Sequence, residues 1–175
     1  MIEKRAATEV RAEGRKLVGY AAVFGQEARI ADFVEKIAPG AFSRSLAAGD
    51  DILALADHDP KRVLARTKSG TLRLSEDERG LRFELDVPDT TVGRDILALA
   101  QRGDLGGMSF GFSVEEGGDD WSGVYRTLRA VKLHEVSVVQ SFPAYSGTSV
   151  SARSRRDEKD RRLVLLELEA PHVAV

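Results

Sequence analysis

The stretch "RGDLGGMSFGFSV", from Arg102 to Val114, carries two signals that favour different folds. Gly107 to Gly111 match Gly-x-Ser-x-Gly, the pattern of a nucleophile elbow, in which a strand precedes the serine and a helix follows it. After Ser109, however, the residues continue as "FGFSVEE", which alternates with the period of a strand. The stretch therefore predicts a β-strand with glycines at a bulge or tight corner, and it argues against the α/β-hydrolase fold.

Further strand-like runs lie on both sides of this stretch, among them a hairpin in "TLRLSEDERGLRFELDV". Two helices are predicted between them. The first is a short one in "PGAFSRSLAAG", opened by Pro39 and closed by Gly49, and the second lies in "TTVGRDILALAQRG", with Thr90 or Thr91 as N-cap and Gly103 at its end. About seven strands with two inserted helices predict an α+β fold built as a closed or nearly closed β-barrel.

The chain of 175 residues is long enough for one domain and leaves little room for a second. Residues 1–15 form a charged N-terminal arm in this interpretation, and residues 16–152 form the β-barrel domain. Residues 153–175 begin with a charged linker and end with an apolar stretch, which predicts a terminal helix or tail.

Composition restricts the chemistry that this chain can use. The absence of cysteine excludes a disulfide scaffold, a thiol nucleophile and thiolate zinc sites, and the three histidines lack the spacing of a metal site, so neither metal nor cofactor is predicted. A net charge of −2 argues against a nucleic-acid partner. A charged N-terminus and the lack of a long apolar run predict a soluble, cytoplasmic protein without a membrane contact.

Ser109 becomes a candidate nucleophile because of two other residues. A serine hydroxyl needs an imidazole to accept its proton and a third group to hold that imidazole. His58 lies at the end of a strand-like run in "ADHDP". Glu135 lies inside the apolar run "LHEVSVV", where a carboxylate is costly to bury unless it is paired. A triad of His58, Ser109 and Glu135 is one explanation of this pattern.

Each of the three residues also has a simpler interpretation. Ser109 could face solvent or a backbone acceptor at a barrel corner, and His58 could be only a turn residue between two aspartates. Glu135 could form a salt bridge with Arg126 or Arg129 on a neighbouring strand. The residue types alone leave these alternatives open.

His134 competes with Glu135 for the third position. Adjacent residues of a regular strand point to opposite faces, so both side chains cannot face the site. We choose Glu135 and keep His134 as the alternative.

The order of motifs resembles one protein family. The quoted segments are "GYAAVFG", "APGAFSRSL", "LADHDPKRVLARTKSGTLRLSEDERGLRFELDVPDT", "GDLGGMSFGF" and "R…LHEVSVVQSFPAY". Together they are similar to the prohead (procapsid) maturation proteases of tailed bacteriophages, which are related to the herpesvirus assemblins. The resemblance covers about residues 16 to 152 and is more specific than any single motif. It implies an assemblin-like β-barrel with surrounding helices.

The resemblance also implies roles for the candidate residues. Ser109 matches the nucleophile and His58 the general base, in the family's order of histidine before serine. Glu135 falls on the acidic position of an "L-x-E-V-S" strand. The herpesvirus relatives use a second histidine as third member, which keeps His134 open.

An acyl-transfer site of this kind also needs donors for the oxyanion. The backbone amides of Gly106 and Gly107 are the first candidates, because glycine lets the backbone approach a substrate closely. Amides between Arg126 and Arg129 are the second.

The function implied is that of a serine endopeptidase inside the assembling procapsid, in the host cytoplasm. It would cut scaffold, or the scaffolding arm of the major capsid protein, and itself by autocleavage, before DNA packaging. Dimerisation of the herpesvirus relatives makes a homodimer an option, and the tail could be an autocleaved extension or a docking helix. The alternatives are a catalytically inactive barrel that acts as a capsid-assembly or scaffold protein, and a nonspecific esterase.

Overall fold

Thirteen strands and two helices make up the part of the chain that the computed structural model describes, which is residues 2–7 and 9–141. The strands are β1 (Glu3–Ala7), β2 (Glu9–Glu13), β3 (Lys16–Val23), β4 (Ala28–Ile30), β5 (Phe33–Ile37), β6 (Leu53–Ala56), β7 (Asp59–Arg66), β8 (Leu72–Glu76), β9 (Gly80–Asp86), β10 (Gly107–Ser113), β11 (Asp119–Ser122), β12 (Tyr125–Leu128) and β13 (Lys132–Val139). The helices are α1 (Ser43–Ala47) and α2 (Thr91–Arg102). The predicted α+β class with two helices is confirmed, whereas the predicted number of strands is too small.

The described strands form three hydrogen-bonded sheets. One sheet has five strands in the order β1-β10-β13-β6-β7, and the other two have four strands each, in the orders β2-β3-β9-β8 and β11-β12-β5-β4. Two pairs, β13 with β6 and β12 with β5, are parallel, and the other pairs are antiparallel. These pairings do not join into one closed ring, so closure of the barrel stays a prediction.

The strand that contains Ser109 buries its other face in the apolar core. Met108, Phe110 and Phe112 are at most 1% exposed, and the Phe110 ring packs edge-on against Phe42 and stacks on Phe112. Burial of such side chains stabilises the fold by about 1.5–3 kcal/mol each. Since alternate residues of a strand point to opposite faces, Ser109 and Gly111 lie on the face away from these aromatic rings.

Helix α2 matches its prediction at both ends. The Thr90 hydroxyl accepts the amide hydrogen of Gly93 at 3.1 Å, which satisfies one of the free amides of the first turn. Gly103, at φ 77°, closes the helix in the left-handed conformation. Ile96 and Leu97 bury the inner face of α2 in the core.

Helix α1 is shorter than predicted. It begins after Phe42 and not at Pro39, because residues 39–42 form turns, one of which is closed by the amide of Ser43 donating to the Gly40 carbonyl. Gly49, at φ 69°, follows the helix as predicted.

The N-terminal residues are part of the sheets, which differs from the predicted arm over residues 1–15. β1 pairs with β10 and places Ala6 opposite Ser109, and β2 pairs with β3. The Arg5 guanidinium holds β1 in place through two hydrogen bonds, of 2.5 and 2.8 Å, to the buried Glu35 carboxylate on β5. A charged sequence is typical of a solvated arm, but here Glu3 and Arg5 have ion-pair partners on other strands.

A second arginine completes this buried ion-pair network. Arg126 on β12 contacts Glu3 at 2.6 Å, Glu35 at 3.0 Å and Asp119 at 2.7 Å. Burial acts to raise the pKa of Glu3, but the hydrogen bonds and charges of Arg126 and Arg5 outweigh it and hold that pKa below its ordinary value of 4.5. The network links β1, the neighbour of the Ser109 strand, to the sheet of β5 and β12.

Two predictions concern the rest of the chain. The domain boundary at residue 152 and the tail over residues 153–175 lie outside the described residues.

Neither of the two described helices has the length and apolar character needed to cross a membrane.

Candidate active site

Ser109 lies in the middle of β10, a central strand of the five-stranded sheet. Its partner on β13 is Ser137, and two residues further along the same face Gly111 pairs with Glu135. Ser109 is 3% exposed. The β10–β13 pair therefore places the predicted nucleophile and the predicted third member on one face of the sheet, one pair of residues apart.

His58 lies in the two-residue turn between β6 and β7. Ala56 pairs with Asp59, and the turn residues Asp57 and His58 have φ values of 52° and 60°. Positive φ at both central positions is what a type I′ hairpin turn requires, and aspartate and histidine tolerate it better than most residues. Such conformations cost about 1–3 kcal/mol each and cluster at functional sites. The turn is therefore more constrained than the simple polar turn considered from the sequence.

Asp57 fastens this turn to the end of β13. Its amide donates to the Val138 carbonyl at 2.9 Å, and its carboxylate accepts hydrogen bonds from the Gln140 amide at 2.9 Å and from the Arg62 guanidinium at 2.8 Å. The Gln140 side-chain amide donates to the same carboxylate. These contacts fix where the His58 side chain begins, and Asp57 was not among the residues predicted to act at the site.

His58 and Glu135 form a direct hydrogen bond. His58 Nδ1 lies 2.6 Å from Glu135 Oε1, and the two side chains are 18% and 12% exposed. An ionised carboxylate can only accept a hydrogen bond, so Nδ1 is the donor in this contact and Nε2 is the ring nitrogen that remains for the proton of a nucleophile. The second oxygen of Glu135 accepts a hydrogen bond of 2.5 Å from the Ser137 hydroxyl.

The alternative pairing of Glu135 with an arginine is wrong. The Arg126 guanidinium belongs to the buried network of β1, β5 and β12, and Arg129 pairs with Asp120. The partner of the Glu135 carboxylate is therefore an imidazole, which is the arrangement that a serine hydrolase uses to orient its base.

His134 lies at a β-bulge. Gly111 pairs with Glu135 and the next residue, Phe112, pairs with Leu133, which leaves His134 as an extra residue in β13. The strand is therefore not regular here, and its side chains need not alternate strictly between the two faces. The structure nevertheless separates the two side chains, because His134 Nε2 forms a hydrogen bond of 2.8 Å with the Ser113 hydroxyl and Glu135 contacts His58.

The environment of His134 disfavours its charged form. Burial lowers the pKa of His134 below its ordinary value of 6.5, and the positive charge of Lys132 acts in the same direction.

Gly111 leaves the space that the Glu135 side chain occupies. A Cβ atom at Gly111 would lie 2.5 Å from Glu135 Oε1 and 3.1 Å from its Cγ and Cδ atoms. The second glycine of Gly-x-Ser-x-Gly thus has a steric role across the strand pair, which differs from its role in a nucleophile elbow. The motif contained this signal, but only the register of β10 against β13 shows what it means.

The amides predicted to bind the oxyanion differ in their hydrogen bonds and backbone conformation. The Gly106 amide donates to the Val139 carbonyl and the Arg129 amide donates to the Gly118 carbonyl, each at 2.8 Å, so both already have a backbone acceptor. Gly107 has φ 132°, a conformation that side-chain-bearing residues rarely adopt.

A cavity of about 350 Å³ lies against β5 and the β11–β12 hairpin, where Trp121, Tyr125 and Arg129 line it, and its lining does not include Ser109, His58 or Glu135. Within residues 2–7 and 9–141, no group of three or more histidine, aspartate or glutamate side chains is arranged to hold a metal ion.

A mostly β protein that brings a histidine and a carboxylate together beside a strand serine has the elements of a serine hydrolase. The sequence profile of the caudovirus prohead serine proteases matches residues 2–162, and the chain belongs to this family. The family predicted from the order of motifs is thus confirmed, over a longer segment than the motifs covered.

Two relatives show how close the similarity is. The prohead protease of Enterobacteria phage HK97 is 33% identical over 146 residues, which cover 79% of this chain and 60% of that protein. The structure of the bacteriophage T4 capsid assembly protease matches with a TM-score of 0.50 at 12% identity, covering 81% of this chain and 97% of that structure. The second match shows a likeness of fold.

Proposed function

We propose that this chain is a serine endopeptidase of procapsid maturation in which Ser109 is the nucleophile, His58 the general base and Glu135 the residue that orients His58. The observation that carries the proposal is the 2.6 Å contact between His58 Nδ1 and Glu135 Oε1, on the sheet face that also holds Ser109. Membership of the prohead serine protease family supports the reaction class.

The hydrogen bonds suggest how the reaction would proceed. The Ser109 hydroxyl oxygen attacks the scissile carbonyl carbon while His58 Nε2 takes the hydroxyl proton, and the Glu135 carboxylate stabilises the resulting imidazolium. The imidazolium then gives this proton to the leaving amine as the C–N bond breaks, which leaves an acyl ester on Ser109. A water molecule, deprotonated by His58, hydrolyses the ester and regenerates the hydroxyl.

The oxyanion donor is part of the proposal. Of the predicted amides, we retain Gly107 because it is nearest to Ser109 along the chain; those of Gly106 and Arg129 donate to backbone carbonyls. Gly107 directly precedes Met108 and lies two residues from Ser109, so its amide belongs to the same strand as the nucleophile.

Membership of the family supports the substrates and setting that we propose. The two similar proteins are a prohead protease and a capsid assembly protease, which favours a role in capsid assembly for this chain too. We propose scaffold, the scaffolding arm of the major capsid protein and the chain itself as substrates, within the assembling procapsid. A homodimer, a closed or nearly closed barrel over residues 16–152, and an autocleaved or docking tail over residues 153–175 complete this proposal.

Co-expression with the cognate capsid and scaffold proteins tests the proposal, with mass spectrometry of every product. The wild-type chain is compared with Ser109→Ala and with a matched control, Ser113→Ala, which changes a serine on the same strand that bonds to His134. We expect specific cuts with the wild type and with Ser113→Ala, and none with Ser109→Ala. Uncut products from all three chains in well-formed procapsids would favour the catalytically inactive assembly protein instead.

A further inference from the structure

Ser137, the last residue of the "L-x-E-V-S" strand, is a fully buried serine outside the proposed triad. Its side chain is 0% exposed, it pairs with Ser109 across the β10–β13 ladder, and its hydroxyl donates to Glu135 Oε2 at 2.5 Å. We propose that Ser137 is a positioning residue, which holds one oxygen of Glu135 so that the other stays on His58. This inference rests on the proposed function.

A carboxylate with one hydrogen bond is poorly fixed in orientation. The last side-chain torsion of glutamate is broad, so the contact from Oε1 to His58 does not by itself hold the plane of the group. A second, charge-assisted hydrogen bond to Oε2 restricts this rotation, and such bonds are stronger than those between neutral groups.

The register of the strands explains why these residues act together. Glu135 and Ser137 are two residues apart on β13 and share a face, as Ser109 and Gly111 do on β10. Gly111 leaves room for the carboxylate, and Ser137 fixes its far oxygen. Each strand therefore supplies one small residue beside a residue of the proposed site. On β10 the small residue is Gly111, next to Ser109 on the same face, and on β13 it is Ser137, next to Glu135.

Because Ser137 is fully buried, its hydroxyl does not face solvent. Buried hydroxyls need a hydrogen-bond partner, and the donor of Ser137 is committed to Glu135. A structural role in the sheet alone would not depend on Glu135, whereas a positioning role would. That difference provides the test.

The test measures the rate at which a fluorophosphonate probe labels the full-length protein. The variants are Ser137→Ala, Ser137→Thr, Glu135→Ala and the double variant Glu135→Ala with Ser137→Ala, and the sites of labelling are mapped by mass spectrometry. We expect Ser137→Ala to slow labelling of Ser109 by about 10–100-fold, the usual weight of a hydrogen bond to a charged group. Ser137→Thr, which keeps the hydroxyl, should restore most of the rate.

The double variant separates positioning from a general structural effect. When Glu135 is absent, loss of the Ser137 hydroxyl should slow labelling by less than about twofold, because the interaction that it removes no longer exists. Independent, multiplying losses would overturn the inference, as would wild-type rates in Ser137→Ala. If Ser137→Ala does not fold, Ser137→Cys, a weak donor of similar size, replaces it and should give an intermediate rate.

The outcome also distinguishes this inference from the function on which it rests. A folded wild-type protein that the probe does not label at Ser109 would overturn the proposed function and the role of Ser137 with it. Labelling of Ser109 at a rate that Ser137 does not affect would overturn only the positioning role.

Discussion

Two histidines form hydrogen bonds at neighbouring points of the β10–β13 ladder, and they do so in different ways. His58 uses Nδ1 to contact the Glu135 carboxylate at 2.6 Å, whereas His134 uses Nε2 to contact the Ser113 hydroxyl at 2.8 Å. His58 comes from a strained turn on another strand pair, and His134 is the extra residue of a bulge in β13 itself.

The partner decides what each imidazole can do. A carboxylate stabilises the imidazolium that forms when a histidine accepts a proton, whereas a neutral hydroxyl stabilises it much less. Burial and Lys132 in addition lower the pKa of His134, so the neutral ring is favoured there. We therefore assign the role of base to His58 and no role in the reaction to His134.

The largest predicted difference between the two histidines appears when each imidazole is removed in turn. His58→Asn should lower kcat/KM by about 10⁴-fold or more, because a triad without its base keeps only the contributions of binding and the oxyanion site. Asparagine tolerates the left-handed conformation of this turn, so the fold should persist. His134→Gln should stay within about tenfold of the wild type, since it removes no group that we place in the reaction. Rates of capsid-protein cleavage check both, and a larger loss in His134→Gln than in His58→Asn would reverse the assignment.

Glu135→Gln tests the carboxylate. We expect kcat to fall by roughly 10²–10⁴-fold, because an amide can neither fix the tautomer of His58 in the same way nor stabilise its cation. The shape of the side chain is kept, and the Ser137 hydroxyl can still donate to the amide oxygen. The measurement is single-turnover cleavage by folded protein. Activity within twofold of wild type, together with an inactive His134→Gln variant, would make His134 the third member.

Gly111→Ala tests the space on which the contact depends. The added methyl carbon would lie 2.5 Å from Glu135 Oε1, so the carboxylate has to move away from His58. A displacement of this kind is expected to slow cleavage by about 10²-fold. The control is the same substitution in a Glu135→Ala background, where the obstacle is gone and the extra loss should vanish. An equal loss in both backgrounds would show that the effect comes from the strand and not from the carboxylate.

The smallest predicted effect concerns pH and stability at His134. Its pKa is lowered in the folded protein, so below the ordinary value of 6.5 the unfolded chain binds a proton more readily than the folded chain does. The free energy of unfolding should therefore have its full value above pH 6.5 and decrease as the pH falls through the folded-state pKa. Urea unfolding of His134→Gln at a series of pH values should show a weaker decrease between about pH 6.5 and pH 5, where carboxylates contribute less. An unchanged pH dependence would contradict the lowered pKa.

Local patterns were enough to predict several elements of this fold. The N-cap Thr90 and the left-handed Gly103 mark the ends of α2, and alternation after Ser109 marks β10 as a strand. The candidate pair His58 and Glu135 also came from local signals, because an acidic residue in an apolar strand needs a partner.

Other features depend on pairing between distant segments, which local periodicity does not contain. β1 looks like a charged arm until Arg5 is placed against Glu35, 30 residues away. The bulge at His134 follows from the register of β13 against β10, and only that register gives Gly111 its meaning. These residues could be noticed in the sequence, but their contacts could not be derived from it.

The most direct test of the central claim is to locate the covalent adduct that a fluorophosphonate probe forms on the folded, full-length protein. The account predicts one modified peptide, with the adduct on Ser109, and its loss in His58→Asn. An adduct on Ser113 or Ser137, or labelling of Ser109 that does not depend on His58, would contradict it.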